Sequence, residues 1–128
     1  MIFNIESEFV KKHIKKEYQE RLIFELQSKK HREKALSRFS HNSQLILKNH
    51  FEKTTAIPTT RNLPFEIDFS EKCYIISSDE NDGIFIPLID AIKFCEQSYM
   101  AVILITSKVV IIKEEYENGK PFFFVAKA

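Results

Sequence analysis

Three apolar runs near the C-terminal end of the chain constrain its fold more than any other feature. They are rich in the β-branched and aromatic residues that fit a pleated, buried surface. The pair Asn118-Gly119, within 117–120, tolerates the positive φ angles that a tight hairpin turn requires. We therefore predict a β-meander, whose three strands are 101–106, 109–113 and 122–126.

The predicted strands are apolar at every position, not at every second one. An antiparallel sheet with one wet face alternates apolar and polar residues, so continuous apolar runs indicate that both faces are covered. We expect helices to cover these faces. Any area left open is then a candidate protein interface, and homodimerisation through the sheet follows as a hypothesis. The continuous runs are 102–105, 109–112 and 122–125.

The length of 128 residues fits a single domain that buries its own core. With 44% hydrophobic and 29% charged residues, the chain is typical of globular proteins and unlike disordered or membrane classes. Cys73 and Cys95 are expected to be buried free thiols. We predict a single α+β domain with a helical half 1–52, a linker 53–64 and a sheet half 65–128. N-terminal helices pack on a largely antiparallel sheet of four or five strands, with one helix before the meander.

The helical half shows a clear helical period. Apolar residues recur every fourth position from Val10 to Leu26, which predicts one amphipathic helix over 5–26. Its apolar stripe lapses at 29–34, and Ser28 marks a break before a second helix. Because Ser and Asn compete for backbone groups, the segment 40–43 predicts a stop and restart, followed by a short third helix that ends near residue 52.

The sheet half opens with two weaker strand signals. The segment 65–69 alternates at period two and predicts a short edge strand, and 73–77 predicts a better one. Pro87 then opens a helix, since proline is favoured at the first helical position. Ser107-Lys108 is the predicted link between the first two meander strands, although neither residue favours a positive φ.

Standard catalytic and cofactor motifs are absent from the sequence. Only two glycines occur, Gly83 and Gly119, so no glycine-rich phosphate loop can be written. Zinc spacings of Cys and His, a His-Glu-x-x-His motif and a Gly-x-Ser-x-Gly elbow are also missing. We expect no cofactor, no metal and no catalytic residue. Because the N-terminus has charges where a signal peptide needs an apolar run, and no run approaches a membrane span, we expect a soluble, cytoplasmic protein without membrane contact.

An acidic loop follows the strand at 73–77. Asp79, Glu80 and Asp82 lie in a turn that ends at Gly83. A calcium loop of the EF-hand type requires glycine at its sixth position, whereas glycine is fifth here when Asp79 is counted first. The loop is therefore interpreted as an acidic turn whose carboxylates meet a basic protein partner.

A basic cluster lies between the first two predicted helices. Lys29, Lys30, His31 and Arg32 can neutralise phosphates, which makes nucleic-acid binding an alternative function. Glu25 and Glu33 interrupt this positive field, and charges are normal at a solvated helix junction. His31 and His41 supply a third hypothesis, a hydrolase or nuclease in which they act as acid and base.

Charge is divided unevenly along the chain. Residues 1–62 carry 13 Lys and Arg against 7 Asp and Glu, a balance of +6, whereas 63–128 carry 6 against 11, a balance of −5. We expect a non-enzymatic protein-binding module, since catalytic signatures are lacking and charge is polarised. Its most concrete form is a small immunity or antitoxin-like protein whose partner is a toxin, an expectation by analogy. The abundance of Ile, Lys, Asn and Phe favours a bacterial source.

Overall fold

The chain divides into a helical unit, Met1–Asn49, and a sheet unit, His50–Ala128. A computed structural model of the chain describes residues 2–55, 57–59, 61, 63, 65–115 and 122–128. This arrangement confirms the α+β class. The prediction of one domain stays a prediction. The helical unit consists of α1 Ile2–His13, α2 Lys16–Gln27 and α3 Arg32–Ile46, and the sheet unit of β1 Glu52–Thr54, β2 Lys72–Ile76, β3 Phe85–Pro87, α4 Leu88–Gln97, β4 Val102–Ile105, β5 Val109–Lys113 and β6 Phe123–Lys127.

The helix predicted over 5–26 is wrong as a single element, because the chain breaks between α1 and α2. Ile14 forms an antiparallel bridge with Leu47, just beyond α3. The Lys15 N–H donates to the Ile46 carbonyl at 2.8 Å, and the Lys48 N–H donates to the His13 carbonyl at 2.9 Å. Residues distant in sequence therefore satisfy backbone groups that a continuous helix would pair internally.

The predicted interruption at 40–43 is also wrong, since α3 continues through it to Ile46. Ser40 and Ser43 are buried within the helix. The Ser43 hydroxyl donates to the Phe39 carbonyl four residues earlier, a bond that serine can make inside a helix. The predicted third helix does not form, because the chain is extended at Leu47. The break at Ser28 is confirmed, with Ser28 as the residue that ends α2.

All six strands described in the sheet unit pair antiparallel, in the order β1-β6-β5-β4-β2-β3. The predicted meander is confirmed as β4, β5 and β6, which occupy neighbouring places in the sheet. The strand count exceeds the prediction because β1 and β3, of three residues each, form the two edges. The segment 65–69 is not a strand. The predicted Asn118-Gly119 turn lies outside the described residues.

Side chains on both faces of the central strands are buried, as the continuous apolar runs predicted. The first face packs with Leu88, Ala91, Ile92 and Cys95 of α4 in one apolar core. That face consists of Cys73, Ile75, Val102, Leu104, Val109, Ile111, Phe123 and Val125. The buried residues of the second face are Tyr74, Ile76, Ile103, Val110, Ile112, Phe124 and Ala126.

The link between β4 and β5 is built without a positive φ. The Thr106 hydroxyl accepts hydrogen bonds from the N–H groups of Lys108 at 3.2 Å and Val109 at 2.9 Å. The Thr106 N–H donates to the Val109 carbonyl at 2.9 Å, which closes the turn. Ser107-Lys108 thus forms the predicted link. Hydrogen bonds to the Thr106 side chain stabilise this turn, which therefore does not need an Asn-Gly pair.

Helix α4 begins directly after β3. Pro87 precedes its first residue, so proline is the N-cap and not the first helical residue as predicted. The Leu88 N–H donates to the Glu71 carbonyl at 2.8 Å and the Ile89 N–H to the Phe69 carbonyl at 3.0 Å. These bonds satisfy donors that the start of a helix leaves open. Within the described part of the chain, no helix has the length and apolar character needed to cross a membrane.

Candidate functional site

The predicted acidic loop forms the tip of the hairpin between β2 and β3. Asp79 Oδ1 accepts from the Ser77 hydroxyl at 2.7 Å and from the Asn81 N–H at 2.9 Å. Asp82 Oδ1 accepts from the Ser77 N–H at 3.0 Å. These bonds fold the loop back on its own backbone, as Asp side chains commonly do in turns. Two of the three predicted carboxylates therefore hold the hairpin in one shape.

Gly83 closes this hairpin through a β-bulge opposite Ile75. Its N–H donates to the Ile75 carbonyl at 2.7 Å, while the Ile75 N–H donates to the Ile84 carbonyl at 3.1 Å. Gly83 has a φ of 80°, the left-handed conformation that this bulge requires of its first residue. An added Cβ would meet only the Tyr74 hydroxyl oxygen, at an ordinary 3.7 Å. The glycine is needed for its backbone conformation and not for space.

Glu80 differs from the other two carboxylates of the loop. Its side chain is exposed, and no described residue forms a hydrogen bond or ion pair with it. An exposed carboxylate without a partner among the described residues can contact an external protein. Glu80 is therefore the loop residue best suited to direct recognition.

Exposed apolar side chains follow the acidic loop immediately. The exposed fractions are 38% for Ile84, 48% for Phe85 and 51% for Ile89. The Phe85 ring lies 5.2 Å from the Tyr74 ring, centroid to centroid, which supports it from one side. We call Asp79, Glu80, Asp82, Ile84, Phe85 and Ile89 together the acidic edge. The sequence did not predict that its apolar members are exposed, since an apolar residue carries no local sign of whether its side chain faces solvent.

Two of the four residues of the predicted basic cluster, His31 and Arg32, are engaged by contacts within the helical unit. Arg32 donates to both carboxylate oxygens of Glu6, at 2.8 and 2.7 Å, and to the Leu26 carbonyl at 2.7 Å. His31 Nδ1 lies 2.9 Å from the Ser28 hydroxyl oxygen, and its ring lies 5.3 Å from the Phe24 ring. Arg32 and His31 thus hold helices and their junction in place. Lys29 and Lys30 alone of the cluster are fully exposed.

A second arginine of the helical unit is paired in the same way. Arg38 donates to both carboxylate oxygens of Glu25, at 2.9 and 3.0 Å, and links α3 to α2. The hydrogen bond to Glu25 raises the pKa of Arg38 above its usual value, against a smaller opposing effect of burial. Glu25, which interrupts the positive charge in the sequence, is buried and neutralises Arg38.

The two histidines of the hydrolase hypothesis lie at different levels of α3. His31 is the N-cap residue of α3, and His41 lies ten positions later, a separation of about 15 Å along a helix axis. An acid and a base that act on one bond must both reach it, so this spacing gives the hypothesis no support. Among the residues that the structure describes, no group of three His, Cys, Asp or Glu is placed to hold a metal ion.

Lys113 is a buried charge inside the sheet unit. Its ammonium donates to the Ser98 carbonyl, at the residue that ends α4, where the helix dipole favours a cation. Burial lowers the pKa of Lys113, while Cys95 and Glu115 oppose that change. Burial likewise raises the pKa of Cys73 to about 12, so this thiol is a poor nucleophile. Lys113 and Cys73 are both buried in the sheet unit.

Comparison of the chain with protein-family models, curated proteins and solved structures found no match. The geometry of each unit is therefore the basis for proposing a function.

Proposed function

We propose that the protein is a non-enzymatic protein-binding module whose acidic edge contacts a basic protein partner. The observation that carries this proposal is an acidic hairpin, held in one shape by its own hydrogen bonds, next to exposed apolar residues of an edge strand. Asp79 and Asp82 supply the hydrogen bonds, and Glu80 supplies an unengaged charge. Phe85 and Ile84 supply apolar contact area.

A rigid hairpin favours binding because its conformational entropy is already lost on folding. Association otherwise costs free energy for each loop or side chain that must be ordered at the interface. The Tyr74 ring beside Phe85 restricts that side chain in the same way. Aromatic anchors surrounded by polar groups are typical of the residues that dominate binding energy in protein interfaces.

The charge of the whole sheet unit supports a basic partner. His50–Ala128 contains 8 Lys and Arg against 12 Asp and Glu, a net charge of −4. Charge of one sign increases the rate of encounter with partners of the opposite sign and disfavours partners of the same sign. The acidic edge thus combines a field that attracts a basic protein with apolar residues that hold it.

The most concrete form of the proposal is an immunity or antitoxin-like protein of a bacterial cytoplasm, whose partner is a basic toxin. Such a protein acts by covering a surface of its partner and needs no catalysis of its own.

Homodimerisation through the sheet is the weaker companion proposal. The central strands bury their side chains on both faces, which leaves the edges as the remaining sheet surface. At β3, Pro87 lacks the N–H that an added strand would need. At β1, the Lys53 ammonium lies 4.0 Å from the centroid of the Phe122 ring and places a charge at that edge. Both edges are thus poor templates for a second copy.

The test compares charge reversal at the two edges of the sheet. Glu80→Lys changes the acidic edge, and Glu52→Lys makes the same change on β1, about 24 Å away across five strand spacings. The proteins encoded by the genes on either side of this protein's gene are titrated into the wild type and both variants, and calorimetry measures the affinities. We expect Glu80→Lys to weaken binding at least about tenfold, a loss of about 1.4 kcal/mol, with little change for Glu52→Lys.

The same titrations identify the result that would contradict the proposal. Equal losses for both variants would mean that net charge, and not the acidic edge, governs binding. A flanking-gene product that binds both variants as tightly as wild type would place its interface elsewhere. Phe85→Ser supplies an independent check, since it removes the apolar anchor without changing charge.

A further inference from the structure

Five lysines meet at one end of the helical unit, where α1 joins α2. We call them the lysine elbow: Lys11 and Lys12 lie in the last turn of α1, Lys15 is the N-cap residue of α2, Lys16 is its first residue, and Lys48 follows α3. The backbone bonds between His13 and Lys48, and between Lys15 and Ile46, bring the end of α3 to this joint. The sequence separates Lys48 from the other four by more than thirty positions, so the folded helices create the cluster.

The joint that carries these lysines is well defined. The Lys11 carbonyl accepts from Lys48 Nζ at 3.2 Å and from Gln19 Nε2 at 3.2 Å. Gln19 Nε2 also donates to the Ile14 carbonyl at 2.9 Å. Side chains from α2 and from the segment after α3 therefore cap the end of α1. Hydrogen bonds therefore hold together the backbone segments that carry these lysines.

Opposite charges do not engage the lysine elbow. In the described part of the chain, none of its five ammonium groups has a carboxylate at ion-pair distance. Lys11, Lys12 and Lys16 are exposed. The carboxylates within one helical turn of these lysines are Glu8, Glu17 and Glu20, three against five lysines. This end of the unit differs from the α2–α3 junction, where Arg32 is paired with Glu6.

Interactions with the helix dipoles are favourable for only some of these lysines. Lysines in the last turn of α1 interact favourably with the negative end of its dipole. Lys15 and Lys16 instead lie at the positive end of α2, where a cation is unfavourable, and the N-cap there makes no side-chain hydrogen bond. Glu17, in the first turn of α2, opposes part of this unfavourable interaction, and a bound anion would oppose it further.

We infer that the lysine elbow binds the phosphate backbone of a nucleic acid, a function separate from the proposed contact of the acidic edge. Lysine is depleted at protein–protein interfaces, whereas phosphate neutralisation by lysine drives sequence-independent binding to nucleic acids. An anionic membrane is bound more strongly when an apolar face lies beside the charges. Phe24 lies about 12 Å along α2 from Lys16, so Leu45 is the one large apolar side chain near this end that is exposed among those described in the helical unit.

The test uses two triple variants with the same change in net charge. Lys11, Lys12 and Lys16 become Gln in the first, and Lys29, Lys30 and Lys34 become Gln in the second; all six side chains are exposed on the helical unit. The full chain is titrated into labelled duplex DNA of about 20 base pairs, and into RNA of equal length, from about 50 to 200 mM salt. Fluorescence anisotropy reports the affinity, and circular dichroism checks that each variant is folded.

We expect wild type to bind, with an affinity that falls as salt rises. The elbow variant should lose at least about tenfold in affinity at low salt, and its slope of log affinity against log salt should shrink by about 2 to 3 units, since three phosphate contacts are removed. The matched variant at Lys29, Lys30 and Lys34 should change affinity less than about threefold. Replacing Lys11, Lys12 and Lys16 with Arg should retain binding, because charge is kept.

Three results would overturn the inference. One is the absence of binding by wild type at low salt. Another is an equal loss for the two Gln variants, which would show that total charge alone controls the interaction. The last is displacement of the DNA by vesicles of anionic phospholipid at equal phosphate concentration, which would identify a membrane surface as the ligand.

Discussion

The helical unit and the sheet unit stabilise their buried charged side chains by different contacts. In the helical unit, Glu6 and Glu25 are buried and each is held by two hydrogen bonds from an arginine. In the sheet unit, Lys113 is buried and donates to a helix-end carbonyl. The first unit uses ion pairs to fix helices against one another, whereas the second relies on apolar packing around one cation.

This difference shows that charge density in a sequence does not measure charge available for binding. The basic cluster is the densest positive segment, yet Arg32 is bound to Glu6. The lysine elbow is less conspicuous in sequence, but its charges have no carboxylate partner among the described residues. In the sheet unit, Asp79 and Asp82 are likewise engaged by the hairpin that they shape, and Glu80 is not.

The largest expected effect concerns the apolar packing of the sheet unit. Ile111→Ala, in the centre of β5, should lower the free energy of unfolding by about 3 kcal/mol, because the cavity adds to the loss of apolar burial. Urea denaturation of the full chain measures it. Ile105→Ala at the end of β4, a half-buried position, is the matched control and should cost clearly less. Equal costs would contradict the claim that the centre of the sheet stabilises the unit.

Glu25→Gln tests the ion pairs of the helical unit. The change leaves Arg38 without its carboxylate, and we expect a loss of about 2 kcal/mol, below the range for fully buried pairs because Arg38 is partly exposed. Glu20→Gln, an exposed position on the same helix, should stay within about 0.5 kcal/mol of wild type. Similar urea midpoints for the two variants would mean that the pair contributes nothing.

Gly83→Ala tests whether the left-handed backbone conformation at residue 83 stabilises the hairpin of the acidic edge. A residue with a Cβ pays about 1 to 2 kcal/mol to adopt the left-handed conformation at 83, where φ is 80°. We expect that loss in thermal or urea unfolding, with weaker binding of the protein partner because the hairpin is no longer held in one shape. Unchanged stability would show that the bulge accepts another residue without strain.

The sequence was sufficient to predict elements whose stability is local or depends on burial alone. The meander strands 102–105, 109–113 and 123–127 follow from continuous apolar runs, and α4 follows from its apolar stripe after Pro87. The break at Ser28 follows from the loss of that kind of stripe. These signals lie within a few residues of the structure that they specify.

The features that sequence reasoning missed depend on contacts between distant residues. At the break, Ile14 bridges to Leu47, and within α3 the Ser43 hydroxyl bonds to the Phe39 carbonyl of the same helix. For the candidate site, the acidic loop was predicted by its carboxylates. The exposure of Phe85 and the ion pair between Arg32 and Glu6 were not predicted. Exposure depends on the whole fold, and an ion pair between residues 26 positions apart has no local sequence pattern.

The smallest expected effect concerns Lys113 and pH. Because burial lowers the pKa of Lys113 in the folded state, the unfolded chain holds this proton more tightly. Stability from this group therefore rises as pH increases towards the usual lysine pKa of about 10.4. Lys113→Met should lie within about 1.5 kcal/mol of wild type at neutral pH and should lack that rise.

The raised pKa of Cys73 acts in the opposite direction, because the unfolded thiol ionises first and stability falls with pH. Cys73 is present in both proteins, so the difference between wild type and Lys113→Met isolates the lysine. Chemical denaturation at several pH values between about 7 and 10 measures this difference. A constant difference across that range would show that Lys113 keeps its ordinary pKa.

Hydrogen exchange of the full chain, free and bound to a flanking-gene product that associates with it, tests the central claim most directly. The account predicts slower exchange of backbone amides over 78–89, which contains the acidic hairpin, β3 and the start of α4, with β1 unchanged. Protection confined to β1 or to the helical unit, with 78–89 unaffected, would contradict the assignment of the acidic edge as the protein-binding surface.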